Sequence, residues 1–309
     1  MIPATVTAND SLKLSIGQWS FEDLNAQNLD VELSLTAKGI GFTASADSVK
    51  LAEPIGKLSH VNLNCKELLI VSEKYSCARG NIAFHQQEIG SQKLAFEIEA
   101  HPSNEKYKVE IDNLNVASAL FSITFIVKKD KWKVFADTPQ VQLSSLISFL
   151  TPYIDEQQLE VLAKWSIEGD LKLDVDLFGQ ANQLNAIELD LESKGLNISD
   201  TEGLYVSEGL ANTLSLEAEK TDQTWQWQVD FSAAVGQAYA EPIFMDLAET
   251  PIKLKAHGKW LLDKGEFTVN HAKLTQESIT EIEASGNGSF NHINNLSIDV
   301  KKSEFAKLY

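Results

Sequence analysis

The side chains of this sequence that could do chemistry are few and scattered. Its histidines, His60, His85, His101, His257, His271 and His292, show no HExxH or similar spacing that would place two on one helix face for a metal. There is no GxSxG elbow, no P-loop and no GxGxxG, and Gly286-Asn287-Gly288 reads as a turn or bulge. Asp170, Asp174 and Asp176 invite a calcium reading, but they fall on one face of an alternating strand and lack the looped geometry of a calcium site. A solvated acidic face is the expected outcome. The expectation is therefore a protein that is not an enzyme, with no catalytic residue, no bound metal and no cofactor.

The two cysteines are the exception to this dispersal. Cys65 and Cys77 lie twelve apart in "LNCKELLIVSEKYSCARG", on either side of a strand–turn–strand pattern. Such a hairpin can bring them within disulfide reach, which is the expected outcome. Two buried free thiols, packed as small apolar side chains, are the alternative. A disulfide places the chain in an oxidising compartment such as the bacterial periplasm.

The elements that must position these residues follow from hydrophobic periodicity. In "EGDLKLDVDLFGQANQLNAIELDLES" the apolar residues Leu171, Leu173, Val175, Leu177, Ile187, Leu189 and Leu191 occupy every second position, with acidic and basic residues between them. The same alternation runs through Leu29-Val31-Leu33-Leu35, Leu94-Phe96-Ile98, Tyr107-Val109-Ile111 and Trp225-Trp227-Val229-Phe231. This is the signature of half-buried antiparallel strands. A glycine opens a strand, a polar turn follows and an alternating strand returns, as in "GNIAFHQQEIGSQKLAFEIEA" and "GKWLLDKGEFTVNHAKLT". One hairpin cannot bury its apolar face alone, so successive hairpins are expected to extend one long sheet.

Residues 143–164 break the alternation. Leu143, Leu146, Ile147 and Leu150, and then Leu159 and Leu162, are spaced by three and four, which predicts helix. Ser144 or Ser145 can cap its start, Pro152 must interrupt it, and Asp155 can cap a second short helix. The expected organisation is an N-terminal β region (1–142), a helical segment (143–165) and a C-terminal β region (166–309) that continues the sheet.

The formal net charge of −18 disfavours binding to nucleic acid or anionic headgroups. The greasiest run, 119–127, is half the length of a membrane-spanning helix and contains Ser122 and Thr124. The start "MIPATVTAND" has no basic n-region or apolar h-region. An abrupt finish at "KKSEFAKLY" adds to the expectation of a portion of a longer protein.

Three features together resemble the AsmA-like superfamily (TamB/YdbH type) of Gram-negative envelope proteins. They are the glycine-led hairpin series, the helical "LSSLISFL…LEVLAKW" running into "SIEGDLKLDVDLFG", and "WQWQVDFSAAVGQAYAEPIF" followed by "LKAHGKWLLDKGEFTV". The resemblance covers most of the chain and is clearest from Leu143 to Val300. It implies a mostly β fold, an extended and twisted antiparallel sheet curled into a trough with an apolar interior. It also implies a periplasmic protein, anchored in the inner membrane by an N-terminal helix that this sequence lacks. The implied role is phospholipid transport between the inner and outer membrane, or outer-membrane homeostasis, with lipid acyl chains as partners. If the sheet is such a trough, alternation nominates Leu171, Leu173, Val175, Leu189, Trp225, Trp227 and Val229 as groove lining. The rival reading is a structural or adhesive β-sandwich whose greasy faces cover one another in a closed, dry core.

Overall fold

A computed structural model describes residues 11–304, apart from 22–23, 37–38, 52–55, 155, 278 and 290–291. Among the described residues the fold is mostly β: a long antiparallel sheet of eighteen strands with two short helices. Strand follows strand as a meander, because each hairpin presents one apolar and one polar phase and only a neighbour in the same phase can extend both. The chain divides into two compact units. The first comprises the residues up to Val116 together with Leu120–Trp132, and the second comprises Ala117–Ala119 and everything from Lys133 onward.

In the first unit, β1 (Ser11–Phe21), β2 (Leu24–Thr36), β3 (Gly39–Lys50), β4 (Lys57–Val71), β5 (Lys74–Gln86), β6 (Gly90–His101) and β7 (Lys106–Val116) pair in sequence order, all antiparallel. β8 (Ala119–Lys128) completes the unit. Register slips mark the places where one strand carries an extra residue, as β4 does against β3 between Cys65 and Leu68 and β5 does against β6 between Cys77 and Gly80.

The second unit contains β9 (Lys131–Gln142), chiefly, followed by the helical segment and a long meander. That meander runs β10 (Trp165–Gln180), β11 (Gln183–Asp200), β12 (Tyr205–Thr221), β13 (Thr224–Ala240), β14 (Ile243–Asp246), β15 (Ile252–Leu261), β16 (Glu266–Gln276), β17 (Thr280–Ser289) and β18 (His292–Ser303). β13 is long enough to pair with β14 near its C-terminal end and with β15 along the rest.

The helical segment consists of α1 (Leu143–Leu150), a 3-10 turn at Thr151–Tyr153 and α2 (Glu156–Leu162). Pro152 sits in the first turn of the 3-10 element, where its missing N–H is harmless. The capping expectation is corrected: helix begins at Leu143, the N-cap is Gln142 with no side-chain bond, and Ser144 and Ser145 lie inside α1. The Ser144 carbonyl instead accepts from the Ser148 hydroxyl at 2.8 Å. Asp155 lies outside the described residues. α1 packs against β10, so the helices belong with the second unit, and the division between units falls ahead of the change in periodicity at 143. No helix among the described residues is long and apolar enough to cross a membrane.

Candidate functional site: the apolar face

Residues directly opposite across antiparallel strands share one face of the sheet, so the strand registers convert the alternating sequence into rows. In the second unit three rows cross β10, β11, β12, β13, β15, β16, β17 and β18. One reads Leu173, Leu191, Leu214, Phe231, Leu254, Leu274, Ile282, Val300. The next reads Val175, Leu189, Leu216, Val229, Ala256, Ala272, Ala284, Ile298. The third reads Leu177, Ile187, Ala218, Trp227, Gly258, Val269, Gly286, Leu296. No polar residue interrupts any of the three.

Covered rows of this kind would form a dry core. Yet of these twenty-four positions only Gly258 is buried, and the rest are half-buried or exposed. On β18 the exposure of Leu296, Ile298 and Val300 reaches 50–59%. Opposite strands of a closed sandwich bury their inward residues almost completely. This face is not closed in that way.

The seven nominated lining residues separate within this frame. Val175, Leu189 and Val229 stand in one row, Leu173 in the row beside it and Trp227 in the third; all five are half-buried. Leu171 is 6% exposed and lies in a bordering row with Ser193, Asn212 and Gln276, which closes the apolar strip on that side. Trp225 is 7% exposed, opposite Lys220 and Trp260, and so belongs to the packed margin. Sequence reasoning missed Leu191, Leu214, Leu216, Phe231, Leu254, Leu274 and Ile282. Alternation places each in the apolar phase, but only the register shows that they continue the same rows.

Glycine shapes the face at one position in particular. A Cβ on Gly258 would stand 2.6 Å from the ring of its cross-strand partner Trp227 and 2.0 Å from the Thr268 carbonyl. The indole therefore lies over bare backbone instead of standing up from the sheet. In the first unit Phe96 does the same over its partner Gly80, where a Cβ would meet the ring at 2.2 Å.

The opposite face is polar and partly ion-paired. Lys172 pairs with Asp174 at 2.9 Å, Lys255 with Asp230 at 2.9 Å, and Thr213 and Ser232 share a 2.8 Å hydrogen bond, all along a shallow cleft of about 470 Å³. A comparable cleft of about 560 Å³ in the first unit includes Lys13 and Glu32, paired at 3.2 Å. Asp174 and Asp190 stand directly opposite one another. Partial burial pushes the Asp176 carboxyl above the usual aspartate range, with the charges of Asp174 and Asp190 adding to the effect and Lys133 opposing it. Asp174 and Asp176 thus lie on the salt-bridged face, and among the described residues no three His, Cys, Asp or Glu side chains gather as a metal site. His257 and His271 are cross-strand partners with ring centroids 6.0 Å apart, and the other histidines are not brought to them.

Cys65 and Cys77 are joined by a disulfide with Cα atoms 6.0 Å apart. They do not face each other in the ladder: Cys65 opposes Gly80 and Cys77 opposes Leu68. The bond therefore ties two neighbouring rows of the first unit's apolar face. Both cysteines are buried, in a cluster with Phe96 onto which Phe42, Leu63, Leu68, Ile82 and Ile111 pack.

No family model, curated protein or solved structure matches this chain.

Proposed function

We propose that the protein is a non-enzymatic lipid-holding component of the bacterial cell envelope, of the AsmA-like kind, that carries phospholipid acyl chains along the apolar face of its sheet. The observation that carries this reading is the uncovered state of three uninterrupted apolar rows in the second unit. Dimensions support it. The strip is about 13 Å wide from Leu173 to Leu177 at ~3.3 Å per residue and, across its eight strands, about 34 Å long at ~4.8 Å per strand. That is enough for an acyl chain lying along the rows, since one chain occupies ~15 Å of a ~30 Å hydrocarbon core. Each methylene transferred from water to such a surface contributes ~0.8 kcal/mol, so a two-tailed lipid is held without headgroup contacts. The buried disulfide supports an oxidising compartment, here the periplasm. In this reading the chain is part of a longer protein anchored in the inner membrane, and its task is phospholipid movement towards, or upkeep of, the outer membrane.

The test is direct. Organic extraction of the purified protein followed by mass spectrometry should return phospholipid. Val175→Asp places a charge in the middle of the strip. Because Val175 is only half-buried, the variant should keep a melting temperature close to that of the wild type while losing most of its bound lipid. Collapse of the fold by Val175→Asp, with no lipid ever found on the wild type, would mean that the charge is buried unpaired in a dry core. That outcome would make this a structural sandwich and refute the proposal.

A further inference from the structure

The second unit has one end at which the division into a polar and an apolar face breaks down. β10 begins there with Trp165, opposite Asp200 at the end of β11. β12 begins with Tyr205, opposite Ala240 at the end of β13, and β14 begins with Ile243. Val206, Tyr239 and Phe244 stand in one row, and Tyr205, Ala240 and Ile243 in the row beyond it, on the other face. The Trp165 ring lies 6.0 Å from the Tyr205 ring. Tyr205 is 53%, Phe244 49%, Ile243 38%, and Trp165 and Tyr239 each 36% exposed. Behind the three apolar rows the opposite face is charged, whereas here large apolar side chains are open on both faces. The rim that carries them is tied side to side. The Thr201 N–H donates to the Lys164 carbonyl and the Glu241 N–H to the Leu204 carbonyl, both at 3.0 Å, and the Tyr205 N–H donates to the Asp200 carboxylate at 3.0 Å.

Area, depth and charge decide what covers this rim. At ~200 Å² per aromatic side chain, the four rings leave about 350 Å² open, divided between two faces. A stable protein interface takes ~800 Å² from each partner, and a rigid partner meets one face at a time. A bilayer closes round an inserted edge and covers both faces at once. On the face of Tyr239 and Phe244 the next row inward is Glu208, Gln237 and Asp246. From Tyr205 to Glu208 is about 10 Å at ~3.3 Å per residue, and apolar elements that lie in a membrane interface are buried ~5–10 Å. Tryptophan and tyrosine settle at headgroup level because their rings are apolar with one polar atom. At the tip Asp200, Glu202 and Glu241 outnumber Lys164. Such a rim repels anionic lipid and attracts the outermost ammonium of a zwitterionic headgroup, which ring faces attract as well.

We propose that this end of the second unit is a membrane-docking edge, which inserts Trp165, Tyr205, Tyr239, Ile243 and Phe244 into the headgroup region of a zwitterionic phospholipid bilayer. The inference rests on the acyl-chain reading above for its purpose, since a lipid-holding protein must meet the membrane that supplies its lipid. Its evidence is separate from the strip.

The experiment floats the whole protein with unilamellar vesicles on a density gradient, phosphatidylcholine in one arm and anionic phosphatidylglycerol in the other. The wild type should float with phosphatidylcholine and at least tenfold less with phosphatidylglycerol. Tyr205→Thr combined with Phe244→Thr exchanges two exposed rings for a good strand former. It should lower the floated fraction at least tenfold at an unchanged melting temperature. Should that variant not fold, phosphatidylcholine brominated near the headgroup decides: it should quench wild-type tryptophan fluorescence, and Trp165→Phe should remove a distinct part of the quenching. No flotation of the wild type with phosphatidylcholine, a preference for phosphatidylglycerol, or quenching unchanged by Trp165→Phe overturns the inference. So does a wild type that ignores vesicles but elutes as a dimer, with the double variant a monomer, because the rim is then a protein interface. Phospholipid recovered by organic extraction without any flotation overturns this inference and leaves the acyl-chain reading standing. Flotation through the rim with no extractable lipid supports the inference and tells against the strip.

Discussion

The two units use the same alternating strands and finish their apolar faces differently. In the first unit the face draws together around a staple. Cys65, Cys77 and Phe96 are 2–5% exposed, and Leu58, Val61 and Leu94 are buried as well. In the second, rows of leucine, valine and isoleucine run across eight strands without any becoming buried. Chemistry explains the difference. Both units seat a ring over a glycine, but only the first has a disulfide, which fills space above the backbone and pulls neighbouring rows together. Aliphatic side chains of similar height pack sideways against one another and leave their tips uncovered. A half-buried face is thus a product of residue choice.

The comparison can be broken most forcefully at the staple. Cys65→Ala combined with Cys77→Ala, or reduction of the bond, should destabilise the first unit by about 3 kcal/mol, the scale for a loop of this length. Hydrogen exchange should accelerate most in β4, β5 and β6, and no comparable change is expected at Leu173 or Val229. Uniform acceleration along the chain would show that the disulfide does not organise a local cluster.

The two seated rings sharpen the comparison next. Gly258→Ala meets both the Trp227 ring and the Thr268 backbone carbonyl, and backbone cannot swing aside. A cost of ~1–3 kcal/mol and a shift in tryptophan fluorescence are expected. At Gly80 the near atoms belong to the Phe96 side chain, so Gly80→Ala should cost less. Equal melting temperatures for the two variants would contradict this account of how the rings are held.

A smaller effect of opposite sign is expected at Ser193. Its hydroxyl is buried, in a residue 1% exposed, without a hydrogen-bond partner. Ser193→Ala should raise stability by up to ~1 kcal/mol, read from denaturant midpoints, because the alanine leaves no unsatisfied polar atom. A loss of stability would mean that the hydroxyl has a role the geometry does not reveal.

The smallest effects concern pH, one in each unit. Lys74 at 2.7 Å, and then His101 at 2.8 Å, hold the half-buried Glu99 carboxyl down to about 2. A depressed folded-state value contributes stability above the ordinary glutamate range, and that contribution fades as pH falls from about 4.3 towards 2. Melting curves of wild type and Glu99→Gln should therefore converge over that window. Asp176 has the reverse sign. Its carboxyl is raised, so its ionised form is slightly unfavourable in the fold at neutral pH. Asp176→Asn should raise the melting temperature at pH 7, with the gain vanishing in acid as the native aspartate takes up its proton. A fall at pH 7 would contradict the assignment.

Much of the fold was legible in the sequence, because period-two alternation is set locally by the two faces of a strand. Glu168–Ser193 became β10 and most of β11 as its pattern required, and Leu143–Leu150 and Glu156–Leu162 became helix because spacings of three and four cannot sit on a strand. Pro152 likewise interrupted the helix where its ring forbids continuation. The start of α1 was not legible. Serine is a good cap in general, but here the strand ending at Gln142 passes directly into helix and leaves Ser144 and Ser145 within it.

The candidate site was legible in phase but not in extent. Alternation says that Val175, Leu189 and Val229 point to the apolar side. It does not say that they share a row with Leu216 and Ile298, since register depends on bulges, such as those near Gly169 and Leu196, that shift one strand against the next. Nor does it say that Leu171 and Trp225 are buried while Leu173 and Trp227 are half-open. By itself, then, the sequence determined which residues are apolar-facing, where strand gives way to helix, and that catalytic motifs are missing, all of which are properties of neighbours along the chain. Only the tertiary structure decided which rows line up, that a diagonal disulfide ties two of them within a buried cluster, and that the long rows of the second unit stay uncovered. Those outcomes depend on side chains brought together from strands far apart in sequence, and no local pattern records what will, or will not, lie above them.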